Sequence, residues 1–454
     1  MITETIAAVA TPHGTGGISV IRVSGDDAFI ICDRIFRNPK GKKLADAKSH
    51  TILYGHITDG EKIIDEVLVS VMRAPHTFTG ENTAEISCHG GITVTNAVLS
   101  LILKNGAVLA SKGEFTKRAF LNGRMDLSQA EAVIDVINST TSLALDTATH
   151  QLEGSLSREI AVLRDKLLDV MAQIDVAADY PEEEIDEMGE NQLLDTLKNI
   201  SASIKNLEDS AERGTLIRDG INTVICGKPN VGKSSLLNAL ADNERAIVTD
   251  IAGTTRDVIE ERVTLSGIAL NIFDTAGIRD SDNPVESIGI TKATEYLKKA
   301  DLVLFLIDAS IGITEEDIKI SKLIEDKKTI LVINKSDLND NADTSAFSDI
   351  FPKVFISAKQ GMGIDKLGDM IEKMFNLGEI SKDGSVTITN LRHKQALSNA
   401  NMHLNAAISA VGAVPFDLIG IDITNAISAL GEITGQTVSE EIVDRIFSRF
   451  CLGK

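Results

Sequence analysis

The stretch Gly227-Lys-Pro-Asn-Val-Gly-Lys-Ser234 follows the apolar run Ile221-Asn-Thr-Val-Ile-Cys226, and its reading decides the fold around it. A β-branched run, a glycine-bounded turn and a Lys-Ser pair opening a helix are the strand, loop and helix of a phosphate-binding loop. Glycines let successive backbone N–H groups turn towards one point, and the helix starting near Lys233 adds its positive end. Asn230, Val231, Gly232, Lys233, Ser234 and Ser235 are therefore expected to line a polyphosphate. Lys233 should reach the β- and γ-phosphates, and Ser234 should ligate magnesium.

Outward from this loop, short apolar runs alternate with helical stretches between residues 216 and 377, the pattern of a parallel sheet built from βα units. Asp274-Thr275-Ala276-Gly277 follows the strand Leu270-Asn-Ile-Phe273. Asp274 is placed to hold magnesium through water, and the Gly277 amide to sense the γ-phosphate. Asn334-Lys335-Ser-Asp337 follows Thr329-Ile-Leu-Val-Ile333. A carboxylate at Asp337 accepts from the two N–H groups that guanine presents; adenine would leave it unpaired, so GTP is selected over ATP. Ser357-Ala358-Lys359, after Val354-Phe-Ile356, is the matching guanine-loop element. In this order the motifs resemble the Ras-like GTPase domain.

One position departs from that pattern. Ile278 follows Asp-Thr-Ala-Gly where Ras-type enzymes place a glutamine that orients the attacking water, and an isoleucine cannot do so. Glu286, on the segment from Asp280 to Gly289, is the leading carboxylate for that task. Charge on the transferring phosphoryl also calls for a cation. Asn230 together with the oxygen-rich loop Ile251-Ala-Gly-Thr-Thr-Arg-Asp257 suits a hard monovalent ion; alternatively Asn230 braces the loop and Arg256 is the arginine finger.

The flanking sequence belongs to other domains. At 454 residues the chain exceeds one core, and two to four domains are expected. Residues 1–121 alternate β-branched runs with glycine turns, as in an α+β domain. From about Asp126 the texture is helical: Ser128 and Glu131 read as a capping box, and Ile160, Leu163, Leu167, Met171 and Ile174 recur at the helical period. Helical periodicity resumes after residue 377 and ends in a segment with Thr437 and Glu440 as a second box, then Ile442, Val443, Ile446, Phe447 and Phe450 on one face. A helical region on both sides of an α/β unit implies an insertion. The expected domains are thus 1–121, 122–215, 216–377 (inserted) and 378–454.

Four scattered cysteines, Cys32, Cys88, Cys226 and Cys451, without paired spacing argue against a disulfide framework or structural zinc and fit a reducing cytoplasm. The N-terminus lacks the cationic start and apolar core of a signal peptide, and no apolar run is long enough to span a membrane. A formal charge of −21 disfavours non-specific binding to polyanions, so any nucleic-acid partner needs a local basic patch or a helper protein. The tail Phe447-Ser-Arg-Phe-Cys-Leu-Gly-Lys454 carries Cys451 where prenylation boxes do, but a terminal lysine is a poor selector and no polybasic stretch precedes it. His89 beside Cys88 reads either as a metal pair or as packing in a glycine-bounded turn.

Further motifs extend the resemblance over the whole chain. Ala10-Thr-Pro-His-Gly-Thr-Gly-Gly-Ile-Ser-Val-Ile-Arg-Val-Ser-Gly25, Phe78-Thr-Gly-Glu81, Cys88-His-Gly-Gly91, Arg118-Ala-Phe-Leu-Asn-Gly-Arg-Met-Asp-Leu127, Leu430-Gly-Glu-Ile-Thr-Gly435 and Phe450-Cys-Leu-Gly-Lys454 resemble the MnmE (TrmE) family of tRNA-modification GTPases. The resemblance implies a tetrahydrofolate-binding-like, dimerising N-terminal domain and a GTPase domain inserted into an all-α domain. Two such GTPase domains meet across the nucleotide. It further implies potassium held by Asn230, Thr249, Ile251 and Thr254, magnesium seen by Ser234 and Thr255, and water oriented by Glu286. Asp250, Ala252 and Gly253 belong to the same nucleotide-contacting loop. The implied partners are a second copy, tRNA and a flavin-dependent protein called MnmG or GidA, in a heterotetramer. Together they build an aminomethyl-type group on C5 of the wobble uridine from a formyl- or methylene-tetrahydrofolate.

The matching folate positions are Arg22, Glu85, Arg124 and Lys454. A carboxylate pairs the donor edge of a pterin, and cations pair the carboxylates of a folate tail. Arg124 stands where lysine is also common in the family, and a planar fork is not equivalent to an ammonium. The terminal helix is expected to deliver Lys454 into the folate site, with Cys451 either taking part in one-carbon chemistry as a thiolate or only packing. The competing class is a regulatory GTPase switch in ribosome assembly or stress response, without chemistry on RNA.

Overall fold

The period-two alternation of Ile18-Ser-Val-Ile-Arg-Val23 sends Ile21 and Val23 to one side of a strand and Arg22 to the other. In the computed structural model, which describes residues 4–179, 190–243, 261–274, 295–339, 342–347, 350–377 and 386–454, this run is β2 (Ile18–Ser24) of a mixed sheet. The chain forms two compact units: Met1–Ile134 with Leu152–Asp165 and Ile427–Lys454, and Asp135–Gln151 with Lys166–Ala426.

The first unit holds a seven-stranded sheet. Its strands are β1 (Ile6–Val9), β2, β3 (Phe36–Arg37), β4 (Thr51–Asp59), β5 (Lys62–Met72), β6 (Thr83–His89) and β7 (Val108–Leu109), in the order β3-β4-β5-β6-β2-β1-β7. All pairs are antiparallel except β1 with β7. Ile21, Val23, Val69, Val71, Ala84 and Ile86 share a core with the helices α1 (Ala28–Ile35) and α2 (Ile92–Lys104). The opposite face carries Arg22 and Glu85, directly paired in register. A smaller cluster of Ile6, Ala8, Ala110 and Phe115 joins β1 to α3 (Glu114–Leu121).

Strand alternation also decides between the two readings of Cys88 and His89. The Cys88 thiol is buried and donates to the Ser19 carbonyl at 3.5 Å, whereas exposed His89 bonds Asp65 through Nδ1 at 2.6 Å. Their side chains leave opposite faces, so they make no metal pair. Among the described residues no group of three or more His, Cys, Asp or Glu is arranged to hold a metal.

The helix α4 (Leu127–Asn138) starts differently from its sequence reading. Asp126, not Ser128, opens the box: its carboxylate accepts from the Gln129 amide at 3.0 Å while Gln129 Oε1 accepts from the Asp126 amide at 3.0 Å. Ser128 donates to that same Asp126 carboxylate at 2.8 Å. An anionic cap two residues earlier displaces the Ser128/Glu131 arrangement. α5 (Ser142–Leu152), α6 (Ser155–Asp179) and α7 (Glu190–Asp219) follow. Ile160, Leu163, Leu167 and Ile174 of α6 are buried, as their period requires.

The second unit contains a six-stranded sheet of β8 (Ile221–Cys226), β9 (Glu261–Leu265), β10 (Ile268–Asp274), β11 (Leu302–Asp308), β12 (Thr329–Asn334) and β13 (Lys353–Phe355), in the order β13-β12-β11-β8-β10-β9. Only β9 runs antiparallel. β11 and β12 are buried at every residue, which is why they read as unbroken apolar runs. Their two faces belong to two separate cores. Helices α8 (Lys233–Asn243) and α9 (Glu315–Leu323) lie between strands, and α10 (Ile364–Met374) follows β13. This is an open α/β sheet, with ligand-binding loops at the carboxyl ends of its strands.

The remaining helices are α11 (Leu391–Ala410), α12 (Phe416–Thr434) and α13 (Glu440–Phe447). α13 has Ser439 at its N-cap without a side-chain bond, and Thr437 Oγ1 donates to the Ser428 carbonyl at 2.8 Å instead of forming the expected box. Val443, Phe447 and Phe450 pack with Leu127 and Ala130, while Ile442 stays exposed. Among the described residues no helix is long and apolar enough to cross a membrane.

Candidate functional site

The loop from Gly227 to Ser234 lies between the end of β8 and the start of α8, as the sequence predicts. Its backbone is bent by residues in the left-handed half of conformational space: Gly227 at φ 143°, Asn230 at φ 63° and Gly232 at φ 100°. A Cβ on Gly227 would stand 2.4 Å from the Leu306 carbonyl oxygen, and one on Gly232 2.2 Å from Asn334 Nδ2. Glycine is required at both positions by conformation and by space. Lys233 Nζ donates to the Gly227 carbonyl at 2.6 Å and the Lys228 carbonyl at 3.1 Å. Ser234 and Ser235 are exposed in the first turn of α8.

The expected guanine motifs close against this loop. Asn334 Nδ2 donates to the Val231 carbonyl at 2.8 Å, and Asn334 Oδ1 accepts from the Ala358 amide at 3.0 Å. One buried side chain therefore links the phosphate loop to the Ser357-Ala358-Lys359 turn. Lys335 Nζ reaches the Asn230 carbonyl at 3.0 Å and Asp308 Oδ2 at 2.5 Å. Burial pulls the Asp308 carboxyl up, but hydrogen bonds from Lys335 and Ser310 outweigh it and hold the group below the usual carboxylate range. The Ser336 amide donates to the Ile356 carbonyl at 3.0 Å, which sets Asp337, exposed, beside the same turn. Ser357 and Ala358 are buried and Lys359 is exposed.

Asp274 ends β10 in register with Ile225 of β8. Thr249, Asp250, Ile251, Ala252, Gly253, Thr254, Thr255, Thr275, Ala276, Gly277 and Glu286 lie outside the described residues, as do Arg256 and Ile278. Sequence reasoning passed over Lys228, whose ammonium meets Asp317 Oδ2 at 2.9 Å and Thr314 Oγ1 at 2.8 Å. The available signal was Thr314-Glu-Glu-Asp317, a capping box directly ahead of a helix.

The second group of predicted residues meets in the first unit. Arg22 Nε and Nη2 each stand 2.8 Å from Glu85 Oε1, and the guanidinium lies over the rings of Phe78 at 5.2 Å and Phe115 at 5.6 Å. Arg22 Nη1 is buried without a partner. Lys454 is drawn into this field: burial first, then Arg22, push its ammonium below the ordinary lysine value, against the pull of Glu85 and Cys451. Gly453, at φ 89°, presses against β1 so closely that a Cβ would stand 2.1 Å from the Val9 carbonyl oxygen. The Cys451 carbonyl accepts from the Gly113 amide at 3.3 Å. Arg124 Nε donates to the Thr77 carbonyl at 3.1 Å, one residue from Phe78.

Chemically, this second site offers three cations, a carboxylate and a buried donor without a protein acceptor, a set that fits a ligand with both an N–H edge and anionic groups. Of the four cysteines only Cys451 is exposed. Burial pushes the thiols of Cys32 and Cys226 up to about 12 and raises that of Cys88, so these three stay protonated.

Known families match both the N-terminal and the helical parts of the chain. Residues 5–124 match the family described as the GTP-binding protein TrmE N-terminus, and residues 127–451 match the MnmE helical domain. The chain is 49% identical over 457 residues to the tRNA modification GTPase MnmE of Acetivibrio thermocellus, covering 99% of each chain. It is 48% identical over 457 residues to the protein of the same name from Clostridioides difficile, covering all of each. With its N-terminal and helical parts both matched and these relatives aligned end to end, the chain belongs to the MnmE (TrmE) family.

Proposed function

We propose that the protein is a GTP hydrolase of tRNA modification that works as a homodimer with a flavin-dependent partner of the MnmG (GidA) type. It uses a tetrahydrofolate one-carbon unit to install an aminomethyl or carboxymethylaminomethyl group at C5 of the wobble uridine. The observation that carries this reading is the pair of hydrogen bonds made by Asn334, donated to Val231 in the phosphate loop and accepted from Ala358 in the guanine turn. It ties phosphate recognition and base recognition into one element.

In this reading residues 216–377 are the GTPase domain, inserted between helical segments 122–215 and 378–454, and residues 1–121 bind folate and dimerise. The backbone N–H groups around Asn230 and Gly232 bind phosphate oxygens, Lys233 neutralises them, and Asp337 accepts from the guanine edge. Ser234 and Thr255 would hold magnesium, with Asp274 acting through water. Asn230, Thr249, Ile251 and Thr254 would hold potassium, where a hard cation neutralises charge on the transferring phosphoryl. Glu286 orients the attacking water. At the second site Glu85 takes the donor edge of a reduced folate, Arg22, Arg124 and Lys454 take its anionic groups, and Cys451 lies beside them. Bound there, a formyl- or methylene-tetrahydrofolate supplies the carbon unit. The names of the relatives, tRNA modification GTPases, support the tRNA role.

Nucleoside analysis of tRNA from cells lacking this protein tests the reading directly: the C5-substituted wobble uridine disappears. Unchanged tRNA together with intact GTP hydrolysis points to a regulatory switch instead. In purified protein, hydrolysis runs faster in potassium than in sodium, and Glu286→Ala lowers turnover without weakening GTP binding. Equal rates in the two salts remove the potassium site.

A further inference from the structure

A buried ion pair outside the assigned residues holds the second position of the phosphate loop. We propose that Lys228 is a positioning residue: clamped by Thr314 and Asp317 at the start of α9, it keeps the phosphate loop in its nucleotide-binding shape.

Lys228 retains 12% of its side-chain exposure and Asp317 none. Asp317 Oδ2 accepts from the Thr314 amide at 2.9 Å, from Thr314 Oγ1 at 2.8 Å and from Lys228 Nζ at 2.9 Å. Lys228 also donates to Thr314 Oγ1 at 2.8 Å, so ammonium, hydroxyl and carboxylate form a closed triangle. Desolvating two charges is costly and is recovered only in a fixed geometry. A lysine used merely for solubility would stay in water.

The backbone of the same residue ties this clamp to the phosphates. The Lys228 carbonyl accepts from Lys233 Nζ, the amine assigned to the β- and γ-phosphates, at 3.1 Å. Pro229 follows and disfavours the helical conformation at Lys228, which narrows the backbone freedom between the side-chain anchor and the carbonyl. On the far side of the loop Asn334 and Lys335 hold the Val231 and Asn230 carbonyls. Lys228 supplies the corresponding restraint on the near side, from the connection between β11 and α9. Losing it leaves the Lys233 acceptor free to drift.

The inference rests on the guanine-nucleotide reading, and its test separates the two. Lys228→Met, Asp317→Asn and the double variant are compared for affinity to a fluorescent GDP, for kcat and KM of GTP hydrolysis, and for melting by circular dichroism. Each single variant is expected to weaken GDP and raise KM about tenfold while kcat stays within about twofold, because binding is lost equally before and at the transition state. The double variant is expected to be no worse than the poorer single variant, since both remove one clamp. Should Lys228→Met fail to fold, Lys228→Gln, uncharged but still able to donate to Thr314, takes its place. Folded Lys228→Met with wild-type GDP affinity overturns the clamp, and so does a double variant whose loss equals the product of the two singles. Wild-type protein that binds no guanine nucleotide overturns the clamp and the nucleotide reading together.

Discussion

Arg22 and Glu85 face each other across adjacent strands, with two guanidinium nitrogens 2.8 Å from the same carboxylate oxygen, and the last residue of the chain lies within their field. Residues 63 apart in sequence are joined by register, and Lys454 comes within their electrostatic field, its neighbour Gly453 packed closely on β1.

That packing of Gly453 predicts a selective loss. Gly453→Ala places a methyl 2.1 Å from the Val9 carbonyl oxygen at a φ of 89°. The tail then lifts, and affinity for a reduced folate, read by isothermal titration, falls at least about tenfold, because one charge-assisted contact is lost. GDP affinity is unchanged. Folate binding that survives both this substitution and deletion of the last four residues removes Lys454 from the site.

Gly232→Ala tests the phosphate loop. The added methyl meets Asn334 Nδ2 at 2.2 Å at a φ of 100°, so both backbone strain and the Asn334 bonds oppose it. These effects sum to about 3 kcal/mol, or more than a hundredfold in GDP affinity. The helical content of the protein, followed by circular dichroism, stays at the wild-type level.

His89 offers a pH reading. A hydrogen bond donated to the Asp65 carboxylate, then its charge, raise the imidazole above the ordinary histidine value. An NMR titration is expected to place its midpoint above that value, and Asp65→Asn to return it. A raised folded-state value means that the pair's contribution to stability is complete below the unfolded histidine range and is lost as pH climbs through the raised midpoint. A midpoint indifferent to Asp65→Asn contradicts the pairing.

Arg118 is nearly fully buried, 2% exposed, and answers Glu81 at 3.2 Å, Glu114 at 2.9 Å and the Glu4 carbonyl at 2.9 Å. Removing one member of a buried charge set leaves the others uncompensated. Arg118→Met is therefore expected to lower stability by about 3 kcal/mol in urea denaturation. The loss should shrink when Glu81→Gln and Glu114→Gln are added.

The placement of the phosphate-loop and Asn334 motifs was legible from local sequence because each sits at the end of a strand that is unmistakable in isolation. Thr329-Ile-Leu-Val-Ile333 is apolar on both faces, so the position of Asn334 follows with little freedom. Helix starts were less legible. Asp126 and Ser128 both suit a cap, and only the reciprocal bonds with Gln129 chose between them. The capping box at Thr314 and Asp317 marked a helix start, but not its pairing with Lys228, because these residues lie 86 and more positions away and a lysine in a polar loop looks like any solvated charge.

By itself, the sequence determined the glycine loop between β8 and α8, the places of Asn334 and Ser357-Ala358 after their strands, the alternation that sends Arg22 to one face of its strand, and the family. These are local properties, set by spacing and side-chain chemistry. Tertiary structure alone decided that Cys88 and His89 part company, that Lys228 is held by Asp317, and that Lys454 returns to Arg22 and Glu85. The last two are contacts between segments distant in the chain, settled by which charges could be buried only when paired; the first is a choice between strand faces, settled by which face the core covers.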